Sequence, residues 1–465
     1  DIFSTITGMG AKQQAWYVQD QWQVTSNFLL KLGVRNDEFT NTNGDGQKFV
    51  NEKNQWEPRV GFSWDVMGDS SLKVYGNVGR YYLALPQSVA ERAATQSTFT
   101  DEYFTYTGID ANGIPTGLVP VPGVGGLPPP GPVSANNERG QSPNPRVVAS
   151  SNLKPQYQDE LILGFDKTLG PDWAYGAKLT YRTLGTVIDD ECDPGVVGDK
   201  VAAMGLDPDN YAWDDPGCHI FNPNQTNDFV VLAKDGSQPI TVSVTQQDFN
   251  MPDVQRDYYG LDLYLEHPFD GTWQGRIDYT FSRSWGNAEG QVRSDIGQTD
   301  TSKTEDWDYW QLMDGSRGYL ANHRRHALKA RGAWQITPEW MLSGTLLLQS
   351  GAPTSCLGMF GPDGTNPGGG YGSDYHWCRG AISTPGEDTT PWLKQLDLGI
   401  TYRPGFAQQK LAFSAQVFNV TDEQVALQTQ PHLFNRAGTA VNNLYQAPLF
   451  YQTPRFIRLS VSYDF

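Results

Sequence analysis

Apolar and polar residues alternate with a period of two along most of the chain. In the segment from Phe456 to Phe465, Ile457, Leu459, Val461, Tyr463 and Phe465 point one way. Phe456, Arg458, Ser460, Ser462 and Asp464 point the other. A strand with one apolar and one mostly polar face has this pattern, because successive side chains leave a strand on opposite sides. Trp273, Ile277, Tyr279 and Phe281 alternate with Gln274, Arg276, Asp278 and Thr280. Phe28, Leu30, Leu32 and Val34 alternate with Lys31, Arg35 and Asp37. Thirteen such strands are predicted, near residues 12–24, 27–38, 56–66, 71–83, 157–168, 172–185, 254–267, 271–285, 322–336, 340–351, 392–403, 409–419 and 454–465. They exceed the usual globular strand of about 5–6 residues and suit a membrane crossing of about 9–11. Asp20 interrupts the apolar face of Trp16, Val18 and Trp22, which predicts a membrane rim or a bulge there.

The connections sort by length. Short turns fall at Thr25-Ser26, Met67 to Ser70, Gly170-Pro171, Asp270-Gly271, Thr337-Pro338 and Arg403 to Gln408. Long loops alternate with them at about 39–55, 84–156, 186–253, 287–321, 352–391 and 420–453. Short turns on one side and long loops on the other describe an outer-membrane barrel with its long loops outside the cell. The pattern therefore predicts an all-β fold, a transmembrane antiparallel β-barrel. The first and last strands then both run from the outside toward the periplasm. An antiparallel barrel needs an even number of strands, so thirteen predicts the C-terminal part of one barrel over residues 1–465.

Composition fits this reading. Mean hydropathy is -0.51 and no run nears the roughly 20 apolar residues of a membrane helix. Alternating strands with long polar loops average to such a value. A net charge of -18 offers no cationic stripe, which excludes a basic nucleic-acid binder. The opening DIFSTITGMG shows no basic stretch followed by an apolar core, so a processed chain or an internal start is expected. Cys192 with Cys218, and Cys356 with Cys378, form two local pairs. Each is expected to close a loop as a disulfide in an oxidising compartment; zinc ligation and free thiols are the alternatives.

Several stretches resemble the C-terminal barrel half of TonB-dependent outer-membrane transporters, in particular the Oar-like branch. They are WYVQDQWQVTSNFLLKLGVRND at 16–37, NLKPQYQDELILGFDKTL at 152–169, NHRRHALKARGAWQI at 322–336, LQSGAPTS at 348–355 and TPRFIRLSVSYDF at 453–465. The resemblance implies a barrel of about 22 strands around an N-terminal plug. The plug would lie outside this chain, whose strands would be the tenth to the last. It also implies partners: the N-terminal part of the barrel with its plug, the TonB complex acting through the plug, outer-membrane lipid and an extracellular ligand. Ile457, Leu459, Val461, Tyr463 and the terminal Phe465 resemble the signal read by the barrel-assembly machinery. Import of a ligand across the Gram-negative outer membrane is the leading expectation. A structural or binding barrel whose loops engage a surface partner is the alternative, and a passive porin is the third.

Candidate sites follow from the loops and the polar faces. Inward charges are expected at Lys31, Arg35, Asp262, Glu266, Arg276, Asp278, Lys329, Arg331, Asp397 and Arg458, lining a watery lumen or a plug. Trp307, Tyr309 and Trp310 stand between acidic residues, where aromatics can stack on a ligand or pack the loop. Asp207, Asp209, Asp214 and Asp215 could hold Ca²⁺ in an oxygen cage, although Asp207 to Asn210 also reads as a plain turn. No cofactor is otherwise expected. His323 and His326, three apart at a strand start, do not share a face and make a poor metal pair. No local motif joins a nucleophile to a base, so no catalytic residue is assigned and no enzyme is expected.

Overall fold

A computed structural model of the chain describes residues 2–5, 8–94, 97–121, 131–133, 140–214, 217–298, 304–369, 371–372, 374–435 and 438–465. Thirteen strands form one continuous antiparallel sheet in sequence order. They are β1 (Gly10–Thr25), β2 (Phe28–Thr42), β3 (Lys48–Asp65), β4 (Leu72–Leu83), β5 (Gln156–Leu169), β6 (Trp173–Thr186) and β7 (Arg256–His267). The series continues with β8 (Trp273–Gly286), β9 (His326–Thr337), β10 (Trp340–Gln349), β11 (Leu393–Tyr402), β12 (Leu411–Phe418) and β13 (Phe456–Tyr463). Each overlaps a segment where the alternation places a strand; the long loop expected at 39–55 is corrected, because β2 runs on to Thr42 and β3 begins at Lys48, leaving a short connection between them.

The turns on the short side are built from local chemistry. The Asp65 carboxylate accepts from the Gly68 and Ser70 N–H groups at 3.0 and 2.8 Å. Asp270 accepts from Thr272 and Trp273 N–H at 2.7 and 2.9 Å, with Gly271 at φ 96°. Such side-chain bonds hold a tight turn that glycine completes by adopting positive φ.

The distribution of apolar surface is inverted relative to a water-soluble sheet. Leu179, Leu263, Ile277, Phe281, Leu398 and Leu459 all lie exposed on one face. Register confirms that face: Leu263 pairs with Ala177 and Tyr279, and Ala415 pairs with Leu459. A contiguous apolar face of this extent needs lipid or a partner to cover it. Aromatic rings gather toward both ends of it. Trp173, His267 and Trp273 cluster at the short-turn end, and Trp340 stacks on Tyr402 at 4.5 Å. At the long-loop end Tyr181 meets Tyr259 at 4.8 Å, and Tyr82 meets Tyr157 at 5.6 Å.

The buried apolar core lies in the loops rather than between sheet faces. One cluster joins the top of β6 to loop 186–253 and loop 287–321, through Leu184, Val201, Phe221, Phe229, Val244 and Trp307. A second joins the upper β2–β3 hairpin to Leu85, Val89, Val148 and Ile220. The long loops thus fold into a cap over one end of the sheet. Loop 186–253 contributes the helix Pro194–Ala203 and a small sheet of Tyr211–Ala212, Asn227–Ala233 and Ile240–Val244.

Of the two alternatives expected at Asp20, a membrane rim or a bulge, the bulge is removed. The β1–β2 ladder is regular there, with Asp20 opposite Leu32; its irregularity falls at Gln23 to Thr25. Asp20 therefore faces outward between Val18 and Trp22 without a bulge.

Candidate functional site

The polar face of the sheet carries all ten charged residues expected there: Lys31, Arg35, Asp262, Glu266, Arg276, Asp278, Lys329, Arg331, Asp397 and Arg458 occupy positions opposite to the apolar set. Most of them are paired. Arg35 grips Asp37 through two bonds at 2.7 and 2.8 Å. Arg276 bridges Glu266 and Asp278, each at 2.7 Å. Asp262 receives Lys178 at 3.0 Å and the Thr280 hydroxyl at 2.6 Å. Asp397 accepts from the Asn419 N–H at 2.8 Å, and Arg458 donates to Gln416 at 3.0 Å. Further pairs on the same face were not singled out from sequence: Lys73 with Asp166, Arg182 with Glu160, and Arg59 with Glu57. The alternation that marks Arg276 as inward marks these too; their partners depend on a register that one sequence does not display.

Between β4 and β10 this face encloses a cavity of about 930 Å³, lined by tyrosines, carboxylates and basic side chains. It borders the sheet's inner face. Its lining can hold a polar, hydrated or ionic occupant and has little to offer an apolar one.

The cap supplies a second constellation, which sequence reasoning missed. Arg293 is buried at 2% exposure. Its Nε lies 3.1 Å from Asp295, its Nη1 3.1 Å from Asp306, and its Nη2 donates to the Asp374 carbonyl at 3.0 Å. His432 Nε2 lies 2.8 Å from the Asp374 carboxylate. Gln428 donates to the carbonyls of Ser294 and Asp295, both at 3.1 Å. Arg293 thereby ties loop 287–321 to loop 352–391, and His432 and Gln428 fasten loop 420–453 to the same cluster. The carboxyl groups outnumber the cations there. Burial pushes Asp306 up to about 7 and Glu305 up to about 8, the latter aided by the Asp374 charge. Burial and the Arg293 charge lower His376 to about 4. Asp374 is buried too, yet the His432 hydrogen bond and Arg293 hold it below the usual carboxylate range. A lone arginine among acids was the available sequence signal.

Loop 186–253 is fastened to its neighbour by Asp189, which accepts from Thr304 N–H and Oγ1 at 2.6 and 2.8 Å. Glu191 lies 2.8 Å from His219 Nδ1. Cys192 is bridged to Cys218, and Cys356 to Cys378. Both cysteine pairs thus join as disulfides within the cap.

Two site expectations are corrected by burial and position. Trp307 is 1% exposed inside the cap core, so it packs the loop and offers no ligand surface. Trp310 packs against the same core, and Tyr309 is half-buried beside it. The acidic turn is the second. Asp207 accepts from the Asp209 N–H at 3.1 Å and caps the short turn Pro208–Asn210. Among the described residues Asp207, Asp209 and Asp214 are not gathered into a ligand cluster; Asp215 lies outside those residues. The group that does converge is Asp190 with Cys192 and Cys218, whose sulfurs are joined to each other. His323 is buried, accepting from the Ser284 N–H at 3.2 Å, whereas His326 faces outward and meets Tyr279 Oη at 2.8 Å. They do not converge. Ile457, Leu459, Val461, Tyr463 and Phe465 stand exposed on the apolar side of β13 and beyond its end. Most of the Pro/Gly-rich stretch 119–133 lies outside the described residues.

Comparison with known proteins agrees with the geometry. A family model described as an outer membrane beta barrel domain matches residues 4–452. The chain is 25% identical to the TonB-dependent transporter Oar of Myxococcus xanthus over 97% of its own length and 42% of that protein's. The outer membrane transporter YddB of Escherichia coli has a similar fold, with TM-score 0.52 and 16% identity over 98% of this chain and 45% of that one. The FrpB iron transporter of Neisseria meningitidis gives TM-score 0.52 and 11% identity over 99% of this chain and 47% of that one. This chain thus spans less than half the length of each of these relatives. It belongs to the outer-membrane β-barrel domain family of the Gram-negative outer membrane, and its fold is that of the barrel wall of TonB-dependent transporters.

Proposed function

We propose that this chain forms part of the wall and the outer cap of a TonB-dependent importer. The observation that carries the reading is the sheet's two-sided chemistry: a lipid-type apolar face backs a polar face of ion pairs around a polar-lined hollow. The wall is fixed by cross-strand bonds, so it cannot itself open and close. Gating falls to a separate plug drawn by the energised inner-membrane partner, as the similarity to Oar suggests. Inner-face pairs such as Arg276 with Glu266 and Asp278 give that plug or a passing solute a polar surface to slide along. The cap loops bind the ligand first; peptides, proteins, glycans and metal chelates are all compatible with them.

The cap also favours a second reading. It has its own apolar core and two disulfides, more structure than a gate requires. A barrel that presents this cap to a surface partner, without transport, uses the same features. Two measurements on the whole protein separate the readings. Import predicts vesicles that do not leak and specific binding of the periplasmic domain of TonB. Leakage of small solutes makes it a porin. Sealed vesicles without TonB binding make it a docking barrel.

A further inference from the structure

The charges of the inner face do not balance where β8, β9 and β10 meet. Asp166 is taken by Lys73, Asp262 by Lys178, and Glu266 and Asp278 by Arg276. Lys329 stands opposite Asp278 in register, yet that carboxylate is held by Arg276 and makes no ion pair with Lys329. Arg331 stands opposite Arg276 on one side and Thr345 on the other. The inward positions of β10 are Met341, Ser343, Thr345, Leu347 and Gln349, with no acid among them. Lys329 and Arg331 are exposed and line the hollow, and neither side chain makes a hydrogen bond or ion pair among the described residues. Arg324 and the tyrosines Tyr75, Tyr258 and Tyr264 border the same space.

This arrangement is unusual for a chain of net charge -18. Like charges directly opposed across a ladder destabilise it unless something lies between them. Arg276 has turned to its acids, which leaves Arg331 and Lys329 aimed at water. A guanidinium fork beside an ammonium suits the oxygens of a carboxylate or phosphate. We propose that Lys329 and Arg331 form an anion subsite on the wall of the lumen, taking a carboxylate- or phosphate-bearing solute. The proposal rests on reading the polar face as a lumen wall, and it adds the charge class of what passes.

The same chemistry has two sources, a free solute or a carboxylate on protein that fills the lumen. Citrate titrated calorimetrically into the detergent-solubilised whole protein at low ionic strength is the probe. The expected result is binding that weakens at least tenfold in Lys329→Gln/Arg331→Gln and fades with salt. The inner-face control Lys31→Gln should bind citrate as the unaltered protein does. Each single substitution, Lys329→Gln and Arg331→Gln, is measured too, so that one poorly folding variant leaves the test standing. Carbodiimide coupling distinguishes the second source. If citrate does not bind and Lys329 becomes joined to a carboxylate that is not on the strand wall, a protein group fills the subsite. Equal citrate affinity in all variants, equal loss in Lys31→Gln, or no citrate binding with Lys329 uncoupled or coupled only to Asp278 overturns the proposal. Absence of TonB binding would strike the importer reading alone, because equilibrium citrate binding needs no energised partner.

Discussion

Trp307 shares one buried cluster with Phe229, Val201 and Met313, while its neighbours Asp306 and Asp308 meet Arg293 and Tyr371. Truncating a buried aromatic removes its transfer energy and leaves a cavity. Trp307→Ala should cost the cap about 3–5 kcal/mol, read as a lowered unfolding midpoint and faster proteolysis within 287–321. An unchanged midpoint would mean that the cap core does not depend on it. The Arg293 hub sets a pH dependence at the same scale. Asp306 and Glu305 have folded values of about 7 and about 8, above those of an unfolded chain. The folded cap then holds more protons than the unfolded one, and stability falls as pH rises through these values. His376 works the other way at lower pH: its folded value of about 4 means stability is lost as pH falls below its ordinary range. The window free of that opposition runs from about pH 6.5 to 8. Across it the cap's thermal midpoint should drop, and Asp306→Asn should flatten the decline. An equally steep decline in the variant would remove Asp306 from the account.

At the scale of single elements, β7 shows what the sequence made legible. Leu261, Leu263 and Leu265 alternate with Asp262, Tyr264 and Glu266, and the structure puts the first set on the apolar face. Strand existence and face follow from that two-residue period, and turn side from the alternating lengths of the connections. The loops were less legible because their folding rests on contacts between distant segments. Trp307 joins residues from loop 186–253, and Arg293 reaches Asp374, across separations that leave no periodic trace. The cysteine pairs were readable because each closes locally, with separations of 26 and 22 residues. Opening the Cys192–Cys218 bridge by a double serine substitution should cost about 3 kcal/mol, through the wider unfolded ensemble. Intact mass before and after reduction should differ by two hydrogens for each bridge; an unchanged mass refutes both. The face assignment has its own check. Leu263→Arg should destabilise the protein in lipid by up to about 2–4 kcal/mol, whereas Gln274→Arg on the inner face should change little. Equal effects would contradict the assignment of the leucine face to lipid.

At the scale of the molecule, the two edges of the sheet decide how it can be completed. Antiparallel strands reverse direction at every step, so the first and the thirteenth run the same way. Among the described residues β1 pairs only with β2 and β13 only with β12, and direct closure between β1 and β13 would require a parallel ladder. Both edges expose unpaired backbone groups, and an edge in lipid cannot satisfy them with water. Closing the wall as an antiparallel barrel requires an odd number of further strands between the two edges. A barrel of about 22 strands would take nine of them, in keeping with a chain that covers 42% of Oar. Residues 1–465 produced alone should therefore fail to give the compact, detergent-resistant species that heating unfolds. The whole protein should give it, and so should residues 1–465 supplied together with the remainder. A heat-modifiable monomer from residues 1–465 alone would show that the edges close on each other, and the inference of a wider barrel would fall with it.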